Sequence, residues 1–151
     1  MSQADQIEQF AVSAESESQT KTTVEARDFE FTVDEPAALG GTNDGPNPVE
    51  YLLGAWAGCL TVVVHTVGEE LEIDLDGVEI DIEGDLDPRT FLGIVDDVRA
   101  GYQEIRVQID IETDADEEAL DALQAAVEER CPVGDNIENP TPTSVEIESI
   151  E

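Results

Sequence analysis

The sequence contains very little positive charge. Only 6 of its 151 residues are Lys or Arg, whereas 38 are Asp or Glu, so its formal net charge is −32. Binding to nucleic acid depends on clustered Arg and Lys that displace counterions from phosphates, and anionic lipid attracts the same residues. The composition therefore excludes a nucleic-acid-binding protein and argues against docking on a membrane surface.

Cysteine and histidine are also scarce. The two cysteines, Cys59 and Cys131, are 72 positions apart, and His65 is the only histidine. Two cysteines are too few for the disulfide framework of a small secreted domain, and one histidine with two thiols is a poor set of zinc ligands. No charged and then apolar signal segment opens the chain. We therefore expect a cytoplasmic protein without a metal ion or another cofactor.

Aromatic residues make up only 5% of the chain, and low aromatic content with high net charge is typical of disorder. However, 40% of the residues are apolar and they recur in regular patterns, which indicates a folded domain with an acidic surface. Such a surface repels itself unless salt screens it, and the Debye length falls to about 3 Å at 1 M salt. The charge therefore predicts a halophile's protein, from a salt-rich cytoplasm, and says nothing about its chemistry.

Alternating apolar and polar residues predict the strands. Three short segments alternate between residues 7 and 34, and a loop rich in Gly and Pro follows them. Longer alternating segments cover 78–82 and 105–111, and a last strand would contain Val145 and Ile147. The polar residues 1–6 are expected to be frayed.

Two helices are predicted between these strands. The first covers about 48–70, with Asn47 as N-cap, Pro48 at the first helical position and Glu50 completing a capping box. It is apolar on nearly every side, so it must be buried on every side. One small chain has little other surface with which to cover it. Its uncharged stretch of 17 residues is marginal for crossing a bilayer, so we expect no membrane span.

The second helix is expected to begin at Asp114, with Glu117 as its capping-box partner, and to stop at Pro132 just after Cys131. The element order is then β-β-β-α-β-β-α-β, in a single α+β domain over residues 1–151.

The two cysteines allow two interpretations. Both lie on apolar helix faces, where a buried and inert thiol is common. Alternatively they form a redox pair, in which one thiolate attacks an oxidant and the other closes a disulfide. An acidic surface raises a thiol pKa, so activation of Cys59 would need a nearby guanidinium, and Arg27 and Arg130 are the candidates.

Two other polar residues have simpler explanations. His65 is turned about 120° from Cys59 around the helix, which favours a structural role. Glu50 is more simply a helix cap than a general base.

Two separate motifs resemble one family. The run LGGTNDGPNPVEYLLGAWAGC, which ends at Cys59, and the later Arg-Cys-Pro-Val around Cys131 resemble the OsmC/Ohr family of peroxiredoxin-like thiol proteins. The resemblance covers roughly residues 20–148. It implies an intertwined homodimer with two long central helices between antiparallel sheets. It further implies that Cys59 is the peroxidatic and Cys131 the resolving thiol, at the subunit interface.

The sequence departs from this family in two respects. The hydroperoxide-reducing branches carry a glutamate ten residues before the reactive cysteine, but this chain has Val49 there and Glu50 one residue later. No arginine aligns with the activating arginine of the family, and Arg27 lies nearest.

Two functions therefore remain open. The first is a thiol peroxidase that reduces a small organic hydroperoxide and is regenerated by a dithiol reductant. Its candidate residues are Cys59, Cys131, Arg27 and Glu50. The second is a non-enzymatic protein that senses oxidation or binds a small apolar ligand.

Overall fold

The computed structural model describes residues 3–150. The chain forms two compact units, Met1–Leu52 and Leu53–Glu151, and the long first helix continues from one into the other. The prediction of a single domain over 1–151 stays a prediction. The fold is α+β with antiparallel sheets, as predicted.

The first unit contains a three-stranded antiparallel sheet in the order β1-β2-β3. Its strands are β1 (Ser13–Ser16), β2 (Thr22–Ala26) and β3 (Phe29–Val33). The three strands predicted between residues 7 and 34 are confirmed, but the first begins later than the alternation suggested. Pairing with β2 starts only at Ser13, so Phe10 and Val12 lie outside the ladder and are exposed.

The prediction that residues 1–6 are frayed stays a prediction. A short 3₁₀ helix covers Gln3–Gln6, because a single turn needs only local hydrogen bonds. Met1 and Ser2 lie outside the described residues.

The loop after β3 is organised by one buried carboxylate. Asp34 is fully enclosed, and its oxygens accept hydrogen bonds from the Thr20 hydroxyl (2.8 Å) and the backbone N–H groups of Glu35 (2.7 Å) and Asp44 (3.1 Å). Thr42 donates to it through both its hydroxyl and its N–H group. The Thr42 hydroxyl is the first of these donors that hold the pKa of Asp34 well below its usual range, against the opposing effect of burial. Asp34 thus joins the loop to the end of β3.

The first helix, α1, covers Pro48–Glu70 as predicted. Its capping box is present: the Asn47 N–H donates to Glu50 Oε1 and the Glu50 N–H donates to Asn47 Oδ1, each over 2.9 Å. By length and composition α1 is apolar enough to cross a membrane, but the core helices of soluble proteins meet the same criterion. Leu60, Val64 and Val67 are buried, whereas Val62 is 65% exposed. In one chain, α1 is therefore not buried on every side.

The second unit packs a hairpin and two further helices against the later part of α1. The hairpin consists of β4 (Gly77–Leu86) and β5 (Tyr102–Glu112), and the helices are α2 (Glu117–Arg130) and α3 (Pro132–Glu138). Apolar and acidic residues alternate along both strands, and the apolar ones pack against the core, which confirms the one-sided strands. The buried core consists of Leu60, Val64, Val67, Ile73, Leu123, Val127 and Cys131.

Both ends of the second predicted helix need correction. Its N-cap is Asp116, whose side chain accepts the Ala119 N–H, and not Asp114. At the other end α2 does stop before Pro132, but a new helix, α3, begins there, because proline fits the first helical position well.

The last predicted strand is not formed among the described residues. Val145 and Ile147 are 86% and 95% exposed, and the segment after α3 has no regular structure up to residue 150. A strand needs a neighbouring edge for its backbone hydrogen bonds, and within the described chain none is paired with this segment. The observed order is β-β-β-α-β-β-α-α.

Replacing Asp34 by Asn should lower the urea midpoint of unfolding at neutral pH, since the amide cannot accept all five bonds. Because the folded pKa of Asp34 is depressed, its contribution is complete above about pH 4 and is lost as pH falls toward the folded value. The variant should therefore lose less stability than wild type below about pH 4. Urea titrations across pH would measure this. Asp121→Asn, an exposed charge removal on α2, is the control, and equal acid slopes in the wild type and Asp34→Asn proteins would contradict the prediction.

The register of the hairpin places Glu79 directly opposite Asp110, with no cation paired to either among residues 3–150. Like charges directly opposite each other destabilise a sheet, whereas an opposite-charge pair contributes roughly 0.2–1 kcal/mol. Glu79→Lys should therefore raise thermal stability at low salt and reduce its dependence on KCl. Glu83→Lys, on the same strand, should do the opposite, because Glu83 accepts a hydrogen bond from Arg106 (2.9 Å). Equal shifts for both variants in thermal melts would refute this account.

Candidate functional site

Cys59 lies in the second unit, in the middle of α1. Its side chain is half-buried, and it packs against the core cluster one position before the buried Leu60. It follows Trp56 by three residues, so the two side chains share one side of the helix. The helix thus holds the Cys59 thiol at the edge of the core.

Cys131 lies at the junction of α2 and α3 and is only 2% exposed. Its backbone is extended (φ −80°, ψ 111°), so the chain changes direction there before Pro132 begins α3. As N-cap of α3, its Sγ accepts the N–H of Gly134 over 3.4 Å. The junction therefore turns the Cys131 sulfur inward and gives it one backbone donor.

The structure brings the two thiols into contact. Both cysteines are reduced, and the Cys131 thiol donates to the Cys59 sulfur over an Sγ–Sγ distance of 3.2 Å. A disulfide bond requires about 2.05 Å between the sulfurs. The remaining gap is small, so the pair can close by side-chain movement.

The electrostatic surroundings of Cys131 favour its neutral form. Burial is the main cause that raises the pKa of its thiol, and the adjacent Cys59 acts in the same direction. The N–H of Gly134 opposes both by stabilising the thiolate. In the reduced pair, Cys131 is thus the enclosed thiol that holds its proton.

The arginines proposed to activate Cys59 have other contacts. Arg130 forms two hydrogen bonds to Glu70, at 2.6 and 3.1 Å, which join the last residues of α1 and α2. In the first unit, Arg27 lies at the β2–β3 turn with its guanidinium 5.0 Å from the centre of the Phe29 ring. Among the described residues, no guanidinium is hydrogen-bonded to Cys59. An activating role for Arg27 stays a prediction.

The other two candidates, Glu50 and His65, form hydrogen bonds at the start of α1 and within it. Glu50 is exposed and completes the capping box of α1, and a catalytic role for it stays a prediction. His65 is exposed, and its Nδ1 bonds to the carbonyl oxygen of Thr61 one turn earlier (2.8 Å). Within residues 3–150, no group of three or more His, Cys, Asp or Glu side chains is placed to hold a metal ion.

An open cavity of about 630 Å³ lies beside this site, within the second unit. Trp56, Leu60 and Val64 of α1 line it on one side. Apolar and polar residues of β5 and α2, together with Glu138 of α3, line the rest. Its walls can accommodate an apolar group.

Sequence reasoning did not identify Trp56 or Gly134 as part of the site. Their positions three residues from each cysteine were the available signal, since residues one helical turn apart share a face.

The fold is similar to that of several solved structures. An OsmC-like protein from Mycoplasma pneumoniae is 19% identical, with a TM-score of 0.77, over 88% of this chain and 89% of its own. The organic hydroperoxide resistance protein OsmC from Legionella pneumophila is 21% identical, with a TM-score of 0.62, over 87% and 90% of the two chains. The organic hydroperoxide resistance protein OhrB from Bacillus subtilis is 22% identical, with a TM-score of 0.57, over 87% and 92%.

No curated protein sequence matches the chain. A family model, described as OsmC-like protein, matches residues 41–146 and so includes both cysteines. Because that match covers well over half of the sequence, the chain belongs to the OsmC-like protein family.

Proposed function

We propose that the protein is a thiol peroxidase that reduces organic hydroperoxides through Cys59 and Cys131. The observation that supports this most directly is the 3.2 Å contact between the two sulfurs. Cys59, the more accessible thiol, is the peroxidatic residue, and the enclosed Cys131 is the resolving one.

The reaction has two steps. The Cys59 thiolate attacks the terminal oxygen of the hydroperoxide, so an S–O bond forms, the O–O bond breaks and the alcohol leaves after protonation. The Cys131 thiolate then attacks the sulfur of the resulting sulfenic acid, the S–O bond breaks, and hydroxide leaves as water. One hydroperoxide and two thiols thus give one alcohol, one water and one disulfide, which an external dithiol reduces.

The cavity beside Trp56 supports an organic substrate over hydrogen peroxide. Its volume and the apolar residues in its walls suit an alkyl or aryl group, whose burial is favourable. The proteins from Legionella pneumophila and Bacillus subtilis are named for organic hydroperoxide resistance, which agrees with this substrate class.

One observation favours the alternative of a redox sensor or an apolar-ligand-binding protein. A peroxidatic thiol is usually activated by a nearby cation, and in the described chain Arg130 is bound to Glu70 instead. A protein with the same dithiol and cavity but slow peroxide chemistry would act by binding or by sensing.

We also propose that the working form is a homodimer in a salt-rich cytoplasm. Gly54 and Gly58 of α1 have open space where a side chain would lie, and Val62 on the same face is exposed. A second copy of this helix would cover that apolar surface, and glycines allow close approach of two backbones. At a net charge of −32, two such chains associate only where salt screens their repulsion.

Reduced wild-type protein, mixed with cumene hydroperoxide in high salt, should consume one hydroperoxide per chain. Mass spectrometry should then show an intramolecular Cys59–Cys131 disulfide, and hydrogen peroxide should react more slowly. Cys59→Ser should abolish consumption. Cys131→Ser is the matched variant, and it should still react once but leave a sulfenic acid on Cys59 that dimedone traps.

Undiminished consumption by Cys59→Ser, or a disulfide found only between chains, would count against the mechanism. Slow formation of the disulfide, with one hydroperoxide consumed per chain but no continued turnover when a dithiol reductant is added, would favour the sensing alternative.

Gly54→Leu tests the dimer, because its effect on the free energy of unfolding has opposite signs in a monomer and in a dimer. In an isolated chain the site is open, so leucine should stabilise the helix by about 1 kcal/mol relative to glycine. In a dimer packed through this face, the added side chain should cost about 1–3 kcal/mol and release monomers. We expect the second result by chemical denaturation and light scattering. Ala122→Leu on the exposed surface of α2 is the control, and a monomeric wild-type protein would refute the dimer.

A further inference from the structure

An indole N–H group at the dithiol site has no acceptor. Trp56 Nε1 is enclosed, and among the described residues it has no hydrogen-bond partner. A buried tryptophan N–H normally has such a partner, because leaving a buried donor unpaired is unfavourable. Trp56 is the only tryptophan of the chain.

Gly134 shows where this donor lies. A Cβ atom added at Gly134 would be 3.1 Å from Trp56 Nε1 and 3.5 Å from Cys131 Sγ. The indole nitrogen and the sulfur therefore both lie next to the space that a side chain at Gly134 would occupy. The backbone N–H of Gly134 already donates to this sulfur.

The sulfur changes its hydrogen-bonding capacity when it loses its proton. A neutral thiol is a weak acceptor, whereas a thiolate forms shorter and stronger, charge-assisted bonds. The disulfide-closing step needs the thiolate of Cys131. Burial opposes the ionisation of Cys131. The guanidinium of the preceding residue, Arg130, is hydrogen-bonded to Glu70. The Cys59 thiol is the titratable group facing Cys131 from α1, and the start of α3 presents backbone N–H groups.

We infer that the Trp56 indole N–H, together with the Gly134 N–H, binds the sulfur of Cys131 when it is a thiolate and so prepares it to attack Cys59. This rests on the proposed resolving role of Cys131. The indole does not bond to the sulfur in the reduced thiol, so the bond would form by a small approach of the two groups as the proton leaves. The attack then forms the S–S bond, breaks the S–O bond of the Cys59 sulfenic acid and releases hydroxide.

The test uses full-length Cys59→Ser protein, in which Cys131 is the only thiol. Its ionisation is followed by the ultraviolet absorbance of the thiolate, which requires no access of a reagent to the buried sulfur. Adding Trp56→Phe keeps an aromatic ring but removes the donor. We expect the titration midpoint to rise by about one pH unit, which is tenfold less thiolate at a given pH below it.

Tyr51→Phe in the same background is the matched control. It also removes a donor from an aromatic residue of α1, but the Tyr51 hydroxyl is bonded to the Thr32 carbonyl oxygen (2.6 Å), so the Cys131 midpoint should not change. Gly134→Ala is a second variant. Its methyl group would fill the space next to both the indole and the sulfur, hinder their approach and so raise the midpoint as well.

Circular dichroism would confirm that each variant is folded. An unchanged midpoint in a folded Trp56→Phe or Gly134→Ala protein would overturn the inference. The titration involves no hydroperoxide, so its result is independent of whether the protein proves to be a peroxidase.

Discussion

The contact between the two sulfurs depends on how α2 ends. Proline cannot continue a helix, so the chain leaves α2 at Arg130 and takes an extended conformation at Cys131. The same proline begins α3, whose first turn directs the N–H of Gly134 at the sulfur. A continuous helix through Cys131 would instead have placed its thiol on a helix face. One change of direction therefore places Cys131 against Cys59 and provides its backbone donor.

The charge composition limits how this site can be activated. The sequence has 6 basic residues against 38 acidic ones. In the described chain, Lys21, Arg89, Arg106 and Arg130 are each paired with acidic neighbours. A protein with this composition has few cations left for a thiolate. Backbone and indole N–H groups carry no net charge, so they do not form ion pairs with the carboxylates of an acidic surface. A dithiol site that depends on them is compatible with a strongly acidic protein.

Local signals predicted much of the fold, and the errors occurred where partners decide the structure. The capping box of Asn47 and Glu50, the extent of α1 and the one-sided strands β4 and β5 follow from residues close in sequence. The extent of β1 depends on its register with β2, and no alternation in the sequence contains that information. The segment around Val145 has a strand pattern but pairs with no strand of the described chain.

The site was predicted only in part, for a similar reason. The two cysteines stand out because they are rare and lie in motifs that resemble a family, so the sequence was sufficient to select them. Their separation of 3.2 Å depends on tertiary packing. So does the pairing of Arg130 with Glu70, whereas the sequence had suggested Arg130 as a partner for Cys59. The unpaired donor of Trp56 becomes visible only when every neighbour of the indole is known.

The proposed homodimer would account for two unusual features of the fold. The open face of α1 exposes apolar side chains beside glycines, and the segment after α3 has a strand pattern without a neighbouring strand. A helix face is buried and a strand is paired only against another surface, and residues 3–150 present no such surface to either feature. A second copy would supply both surfaces at once. The net charge of −32 opposes that association at long range, whereas apolar burial acts only at contact, so salt would determine whether it occurs.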